Sequence, residues 1–406
     1  MRLFIKSGIF CFTLLVILFF PAEFNFFPWQ KEISLTLFSG IVTLVSKNIF
    51  GYNLLHCDFS SDSVSMYVLF FVLMLVAAMF AGIVTFTRLK NKKNSLIAFI
   101  RAVATVYLAL ILFRYGFNKI FKWQFYQPEP NTLYTPLGNL DKDILYWSAM
   151  GTSYWYSIFA GLIEIIPAVL ILFRKTKIAG LLIALAVFSN ILAINIGFDI
   201  SVKLFSAFLI FVTLVLLKPQ FWALYDFLIH QKKTSLQTET KFVLFNHERL
   251  HRALKPLLVA LCLCESLYPY LSTMNFNDDK APRPFLHGAY VPISGINISF
   301  QGPQGGTYLS IKRFFIHRQG YFIAEDFYGI MHNFRMQVDA PRHMLRLTGN
   351  KNEKIDFVYN IPQDSLLTLT YTNYNSVMEF QTKMINWKKL PAINDQFHWT
   401  VDEYGK

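Results

Sequence analysis

Long apolar runs separated by short basic turns organise the first two thirds of the chain, and near residue 273 an alternating texture replaces them. A stretch of about 20 apolar residues is long enough to cross the hydrocarbon of a bilayer as a helix. Seven such spans are predicted, at residues 9–20, 66–86, 97–117, 154–173, 178–196, 200–217 and, shorter, 257–271. The first follows Arg2 and Lys6; no small-residue cleavage site appears before Pro21, so it reads as an uncleaved span and not as a signal peptide. Residues 35–45 imitate a further span. A crossing there would throw the basic stretch 88–94 outside, against the tendency of Lys and Arg to collect in cytoplasmic loops. The segment is therefore read as an external, interfacial helix. Residues 221–230 mix apolar and polar positions, and either lie on the inner membrane surface or extend the preceding helix.

Beyond residue 273, β-branched and aromatic runs recur at 290–293, 296–300, 308–311, 344–347 and 366–371, with turn clusters at 302–306 and 349–352. The expected fold is an all-α polytopic membrane helical bundle of about seven spans followed by a small β-rich extracytoplasmic C-terminal domain. The divisions fall at residues 1–94 (N-terminal spans with the external interfacial loop), 95–217 (a four-helix core), 218–272 (a cytoplasmic basic segment and the last span) and 273–406 (the β-rich part).

Composition sharpens this picture. Of 406 residues, 54% are hydrophobic and 42 are Phe, which suits lipid better than an ordinary soluble core. The net charge of +13 is unevenly spread: residues 1–272 hold 24 Lys and Arg against 13 Asp and Glu, and the tail holds 14 against 12. A basic excess lodged between hydrophobic spans marks cytoplasmic loops and argues against a nucleic-acid partner. The orientation that follows puts the N-terminus in the cytoplasm and the C-terminal domain outside a cell inner membrane. Cys11, Cys262 and Cys264 lie in apolar spans and Cys57 in an external loop, so no disulfide framework is expected. No phosphate loop, dinucleotide glycine pattern or zinc motif occurs, and His287, His317, His332, His343 and His398 lack metal-ligand spacing. Trp123, Phe125, Tyr126, Tyr134, Trp147 and Trp155 read as an interfacial belt.

The candidate chemistry is a set of charges inside or beside the spans: Arg101, Arg114, Lys119, Glu164, Asp199 and Lys203. An ion near the bilayer centre costs about 2.5–3.5 kcal/mol on insertion scales, so it must pair or meet water. Glu164 lies near the middle of its span. Helical rise places Arg101 within side-chain reach of it in depth, and snorkelling of Arg101 to headgroups is the competing reading. Arg114, Lys119, Asp199 and Lys203 gather near the external boundary, where Arg114 and Lys119 either line a pocket mouth or meet lipid phosphates. Asp199 and Lys203 are four apart and can pair. Asn190, deeper, needs a polar partner, and Asn195 stands four residues before Asp199.

These markers carry a resemblance. Arg101, the run from Phe113 to Ile120, the run from Gly161 to Pro167, the basic turn 174–177, Asn190 and the 199–203 helix start make residues 97–217 similar to the DoxX-like family of four-helix bacterial membrane proteins. The ending 396–403 resembles that of some larger members. The resemblance implies a DoxX-like four-helix core, and some relatives act in thiosulfate oxidation with quinone as acceptor or in membrane redox complexes. No CxxC is present, and Cys262 and Cys264 fall on opposite sides of a helix, which argues against dithiol chemistry but not against quinone. The expected function is binding of a quinone or lipid-like amphiphile in an externally open pocket. Glu164 would be the proton-exchanging or anchoring carboxylate, and Arg101, Arg114, Lys119, Asn190, Asn195, Asp199 and Lys203 its ligand-facing set. The alternatives are a non-enzymatic scaffold whose residues 273–406 recruit an extracytoplasmic protein and, third, a small-solute transporter.

Overall fold

The structure is a computed structural model that describes residues 2–22, 24–87, 91–236, 248–293, 296–302, 305–350, 354–363, 365–373, 376–394 and 397–400. The basic stretch 88–94, both predicted turn clusters and the ending 396–403 fall partly outside these residues. The chain divides into two compact units, residues 1–123 with 157–276, and residues 124–156 with 277–406.

The first unit is helical: α1 (Arg2–Phe19), α2 (Gln30–Phe50), α3 (Val64–Phe86), α4 (Lys93–Ile120), α7 (Tyr154–Leu172), α8 (Lys177–Gly197), α9 (Lys203–Leu217), α10 (Phe221–Leu228) and α11 (Glu248–Thr273). The numbers α5 and α6 belong to the other unit. By length and composition seven helices are apolar enough to cross a membrane, α2 among them, with α1 shorter. The protein is thus a multi-pass membrane protein.

Connectivity refines which helices cross. Gln30 Nε2 at the start of α2 donates to the carbonyls of Ile17 and Leu18, both at 3.1 Å, so α2 begins beside the end of α1. The Phe50 ring at its far end packs 5.4 Å from Phe71, only the eighth residue of α3. The loop after α2 then runs back along it, with Cys57 beside Thr43 and Lys31 Nζ 3.1 Å from Asp58. Although α2 is about 30 Å long, both its ends stay near one end of the bundle, and α3 starts from that same end. A non-helical return across hydrocarbon would strand its backbone polar groups. These contacts set α2 apart from the other candidate spans.

The surface of α2 agrees. Ser34, Val42 and Val45 are buried against the bundle, Ile33, Leu37 and Leu44 form an exposed apolar stripe, and Glu32, Thr36, Thr43 and Lys47 form an exposed polar one. Three faces of this kind suit a helix lying at a membrane surface. α10 follows α9 through a short 3-10 turn, Lys218–Gln220, whose Pro219 breaks the register, so residues 221–230 extend α9 as a separate short helix.

The second unit is built round a closed barrel of antiparallel strands: β1 (Gly288–Pro292), β2 (Ile296–Gly302), β3 (Gly305–Ile316), β4 (Tyr321–Asp326), β5 (Met331–Asp339), β6 (Met344–Thr348), β7 (Lys354–Gln363), β8 (Leu366–Asn373) and β9 (Ser376–Ile385). Each strand from β3 to β9 pairs with the next, and β1 pairs with both β9 and β3, which closes an eight-membered ring. β2 continues β1 along the same edge of β3, with the register moved by the residues between them. Closure through β1 removes the sheet's main edges, and among the described residues β2, bonded to β3 alone, keeps one. Successive side chains alternate between the two faces of the sheet, and β1 and β4 are buried on both. Tyr290, Phe314 and Phe322 point inward and stack, 5.0 and 4.7 Å apart, while their neighbours Ala289, Phe315 and Ile323 form a second apolar cluster on the other face.

That outer cluster is covered from two directions. One cover is the 3-10 turns after β9, with Trp387, Leu390 and Ile393. The other is α5 (Pro130–Tyr134), whose Leu133 and Tyr134 pack on it. α5 and α6 (Lys142–Gly151) lie in the segment 124–156, which the sequence reading kept inside the four-helix core and the structure assigns to the barrel unit. Most of its aromatic residues follow. Tyr134 stacks on Phe315, Tyr126, itself exposed, lies under Arg318, and the buried Phe125 packs with Tyr146 and Trp147; Trp155 is exposed.

Candidate functional site

α4 and α7 meet backbone to backbone. A methyl group on Gly161 would lie 2.5 Å from the Gly116 carbonyl oxygen, and one on Gly116 would lie 2.9 Å from the Gly161 oxygen. Only glycine fits such an approach. Three residues on, each helix presents an ion on the same face. Lys119 Nζ stands 2.8 and 3.0 Å from the two carboxylate oxygens of Glu164, with side chains 9% and 3% exposed. The reading that gave Glu164 to Arg101, and left Lys119 at a pocket mouth, is thereby corrected. The short amine meets the carboxylate because the glycines remove the bulk between the helices.

Arg101 does other work. Its guanidinium donates to the carbonyls of Leu216 (2.9 Å) and Val215 (3.3 Å), the last turn of α9, where unpaired carbonyls and the helix dipole favour a cation. Arg114, half-buried, donates to the Ala22 carbonyl in the turn after α1 and so ties α4 to that turn. Asn195 is buried and donates to Ser206 Oγ at 3.1 Å, tying α8 to α9. Lys203 Nζ meets Asp199 Oδ1 at 2.8 Å. Asn190 lies on an exposed face of α8, and among the described residues no hydrogen bond joins it to Glu164. The sequence-predicted residues thus divide among several structural tasks and do not converge on one pocket.

Three groups escaped the sequence reading. Asp62, in the loop before α3, accepts from the backbone N–H groups of Lys203 (2.8 Å) and Leu204 (3.1 Å) and so caps α9 from a distance. Glu265, inside the last span, accepts from the backbone N–H groups of Asn25 and Phe26. It met the criterion that singled out Glu164, an ion in an apolar run, and could have been found that way. Tyr270 donates to Asn118 Oδ1; nothing in the sequence signals that pair.

The barrel unit holds a second ionic cluster. Glu129, 4% exposed, lies 2.8 Å from His287 Nε2 and accepts from the Arg318 backbone N–H at 3.1 Å. The Arg318 guanidinium contacts Asp278 and stacks 4.3 Å over the Tyr126 ring. Gln127 N–H donates to Asp279 at 2.6 Å. These contacts fasten the 124–156 segment to the barrel. Burial pushes the Glu129 carboxyl up, but the hydrogen bond and charge of His287, the charge of His317 and the Arg318 N–H outweigh it and hold the group below the usual carboxylate range.

Where β1 begins and β7 and β9 end, the barrel opens into a cleft of about 500 Å³. Arg283, His287 and Lys388 contribute basic groups, Ile361, Met384 and Trp387 contribute apolar surface, and among the described residues no carboxylate lines it.

Comparison with curated proteins finds 118 residues that are 34% identical to the uncharacterised protein YwoB of Bacillus subtilis (strain 168), covering 29% of this chain and 75% of that protein. The chain belongs to the YwoB family. The YwoB match accounts for less than a third of the chain, and YwoB's own description names no activity. No family model matches the chain, and no solved structure matches it significantly.

Proposed function

We propose that this protein is a membrane-anchored binding protein whose barrel takes the ligand and whose helices form a rigid support. One observation carries the reading: the ions of the helical unit are taken up by one another and by helix ends, whereas the barrel offers a shaped cleft with basic and apolar walls. Concave sites with a few convergent polar groups on apolar walls are the usual form of a small-molecule site.

A DoxX-like reading, in which a quinone or lipid amphiphile exchanges protons with Glu164, has one observation in its favour. Ions buried in a spanning segment are costly and so tend to serve a function. Against it, Glu164 is 2% exposed and Lys119 occupies both its oxygens.

Native mass spectrometry of the full chain in phosphatidylcholine nanodiscs separates the two. A co-purifying small molecule should persist in Glu164→Gln and be lost from Lys388→Glu. Loss from a folded Glu164→Gln, with retention in Lys388→Glu, would move the site to the helices.

A further inference from the structure

We infer that the cleft at the end of the barrel binds an anionic amphiphile, one apolar chain carrying a carboxylate or phosphate head. The inference rests on the barrel being the binding domain and adds the chemistry of what it takes.

Charge decides the head. Three basic side chains face the cleft, and the carboxylates that attend two of them stand behind it. Arg283 donates through Nη2 to the Asp278 carbonyl at 2.8 Å, and Asp278 is shared with Arg318. His287 lines the cleft and gives Nε2 to Glu129 at 2.8 Å. Lys388 is exposed, its ammonium 5.8 Å from the Trp387 ring centroid, and no ion pair to it occurs among the described residues. Asp278 lies 3.5 Å from Arg283 but is shared with Arg318, and Lys388 faces the cleft with no carboxylate beside it among the described residues, so the cleft carries an excess of positive charge that favours an anion.

The walls decide the body. Ile361, Met384 and Trp387 supply aliphatic, thioether and aromatic surface. Tyr290 adds only its ring, because its hydroxyl donates to the Leu286 carbonyl at 2.9 Å. A head group alone would leave this surface wet, and a neutral chain would leave the cations without a partner. The cleft volume of about 500 Å³ falls among small-molecule sites.

Isothermal titration of the full-length protein in phosphatidylcholine nanodiscs, corrected for empty discs, tests this. Decanoate and decyl phosphate should bind, octanoate should bind about tenfold more weakly than decanoate, and decanol at least tenfold more weakly. Inorganic phosphate alone should give no measurable heat. Lys388→Gln and Arg283→Gln should each weaken decanoate binding about tenfold; Lys388 is the cleaner site because it is exposed. Competition by phosphatidylglycerol in the disc would assign the ligand to the bilayer and its absence to a soluble acid, and either result supports the shared chemistry. Decanol binding as tightly as decanoate, or phosphate binding as tightly as decyl phosphate, overturns the anionic amphiphile and leaves the barrel as binding domain. Decanoate binding that survives both cleft substitutions but is lost from a folded Glu164→Gln overturns the barrel reading itself.

Discussion

Gly116 and Gly161 face each other across the α4–α7 crossing one helical turn before Lys119 and Glu164. The close approach is what lets a lysine and a glutamate meet in a two-pronged contact away from water. Gly161→Ala would place a carbon 2.5 Å from the Gly116 carbonyl and 2.6 Å from Ile120. Overpacking of this kind costs about 1–3 kcal/mol, so the melting temperature in nanodiscs should fall. Unchanged melting would show that the helices part without penalty.

Removing one member of the buried pair should be worse than removing both. Lys119→Met or Glu164→Leu alone leaves an uncompensated charge, a loss on the order of 3–5 kcal/mol, whereas the double substitution should recover most of it. A double-mutant cycle on reversible unfolding measures the coupling. Strict additivity of the two losses would contradict the pairing.

Acid should loosen the barrel unit through Glu129. Its carboxyl is held below the ordinary value of 4.5, so its stabilising contribution is complete above that value. The contribution is lost as pH falls through the depressed folded-state value. Tryptophan fluorescence of the wild type should therefore begin to change below about pH 4.5, and Glu129→Gln should flatten that limb. A wild-type loss centred at higher pH would point to another group.

Asp62 is expected to matter more than its loop position suggests. Asp62→Ala strips the acceptor from two N–H groups at the start of α9 and should cost about 1 kcal/mol. Faster hydrogen exchange at residues 203–206 is the specific readout; exchange unchanged there would remove Asp62 from its capping role.

The path of α2 has a labelling signature. Single cysteines at Lys31, Lys47 and Asp199, in a background with native cysteines replaced, should react with an impermeant maleimide from the same side of the membrane. A cysteine at Lys175 should react from the other. Labelling of position 47 from the side of 175 would make α2 a crossing helix.

The helices were legible because apolar length is written locally, and so was the alternation of β1, β3, β6 and β8. β4, β5, β7 and β9 were harder, since charged residues interrupt their runs, and some of these, such as Glu325 and Asp356, find partners only across the sheet. The Arg346–Asp356 pair on β6 and β7, at 2.7 Å, is an example. The site was less legible for a related reason. Depth along a helix can be counted from sequence, but rotation about it cannot, so Arg101 stood within reach of Glu164 while Lys119, the partner that forms, was set at the external boundary. The glycines that decide between them signal nothing until two backbones are seen to touch. Asn190 failed on the same point: its depth was readable, its outward face was not.

The interleaved origin of the barrel unit sets an order of events during synthesis. The segment 124–156 leaves the ribosome well before the strands it covers, so Leu133, Tyr134 and Glu129 must wait for more than a hundred later residues before their partners exist. A tail expressed by itself would keep Trp387, Leu390 and Ile393 but lack Leu133 and Tyr134 over Ala289, Phe315 and Ile323, and a chain cut short after α11 would leave Leu133 and Tyr134 with nothing to shield. Neither half alone holds the full set of contacts, which come together only when the ring of strands closes.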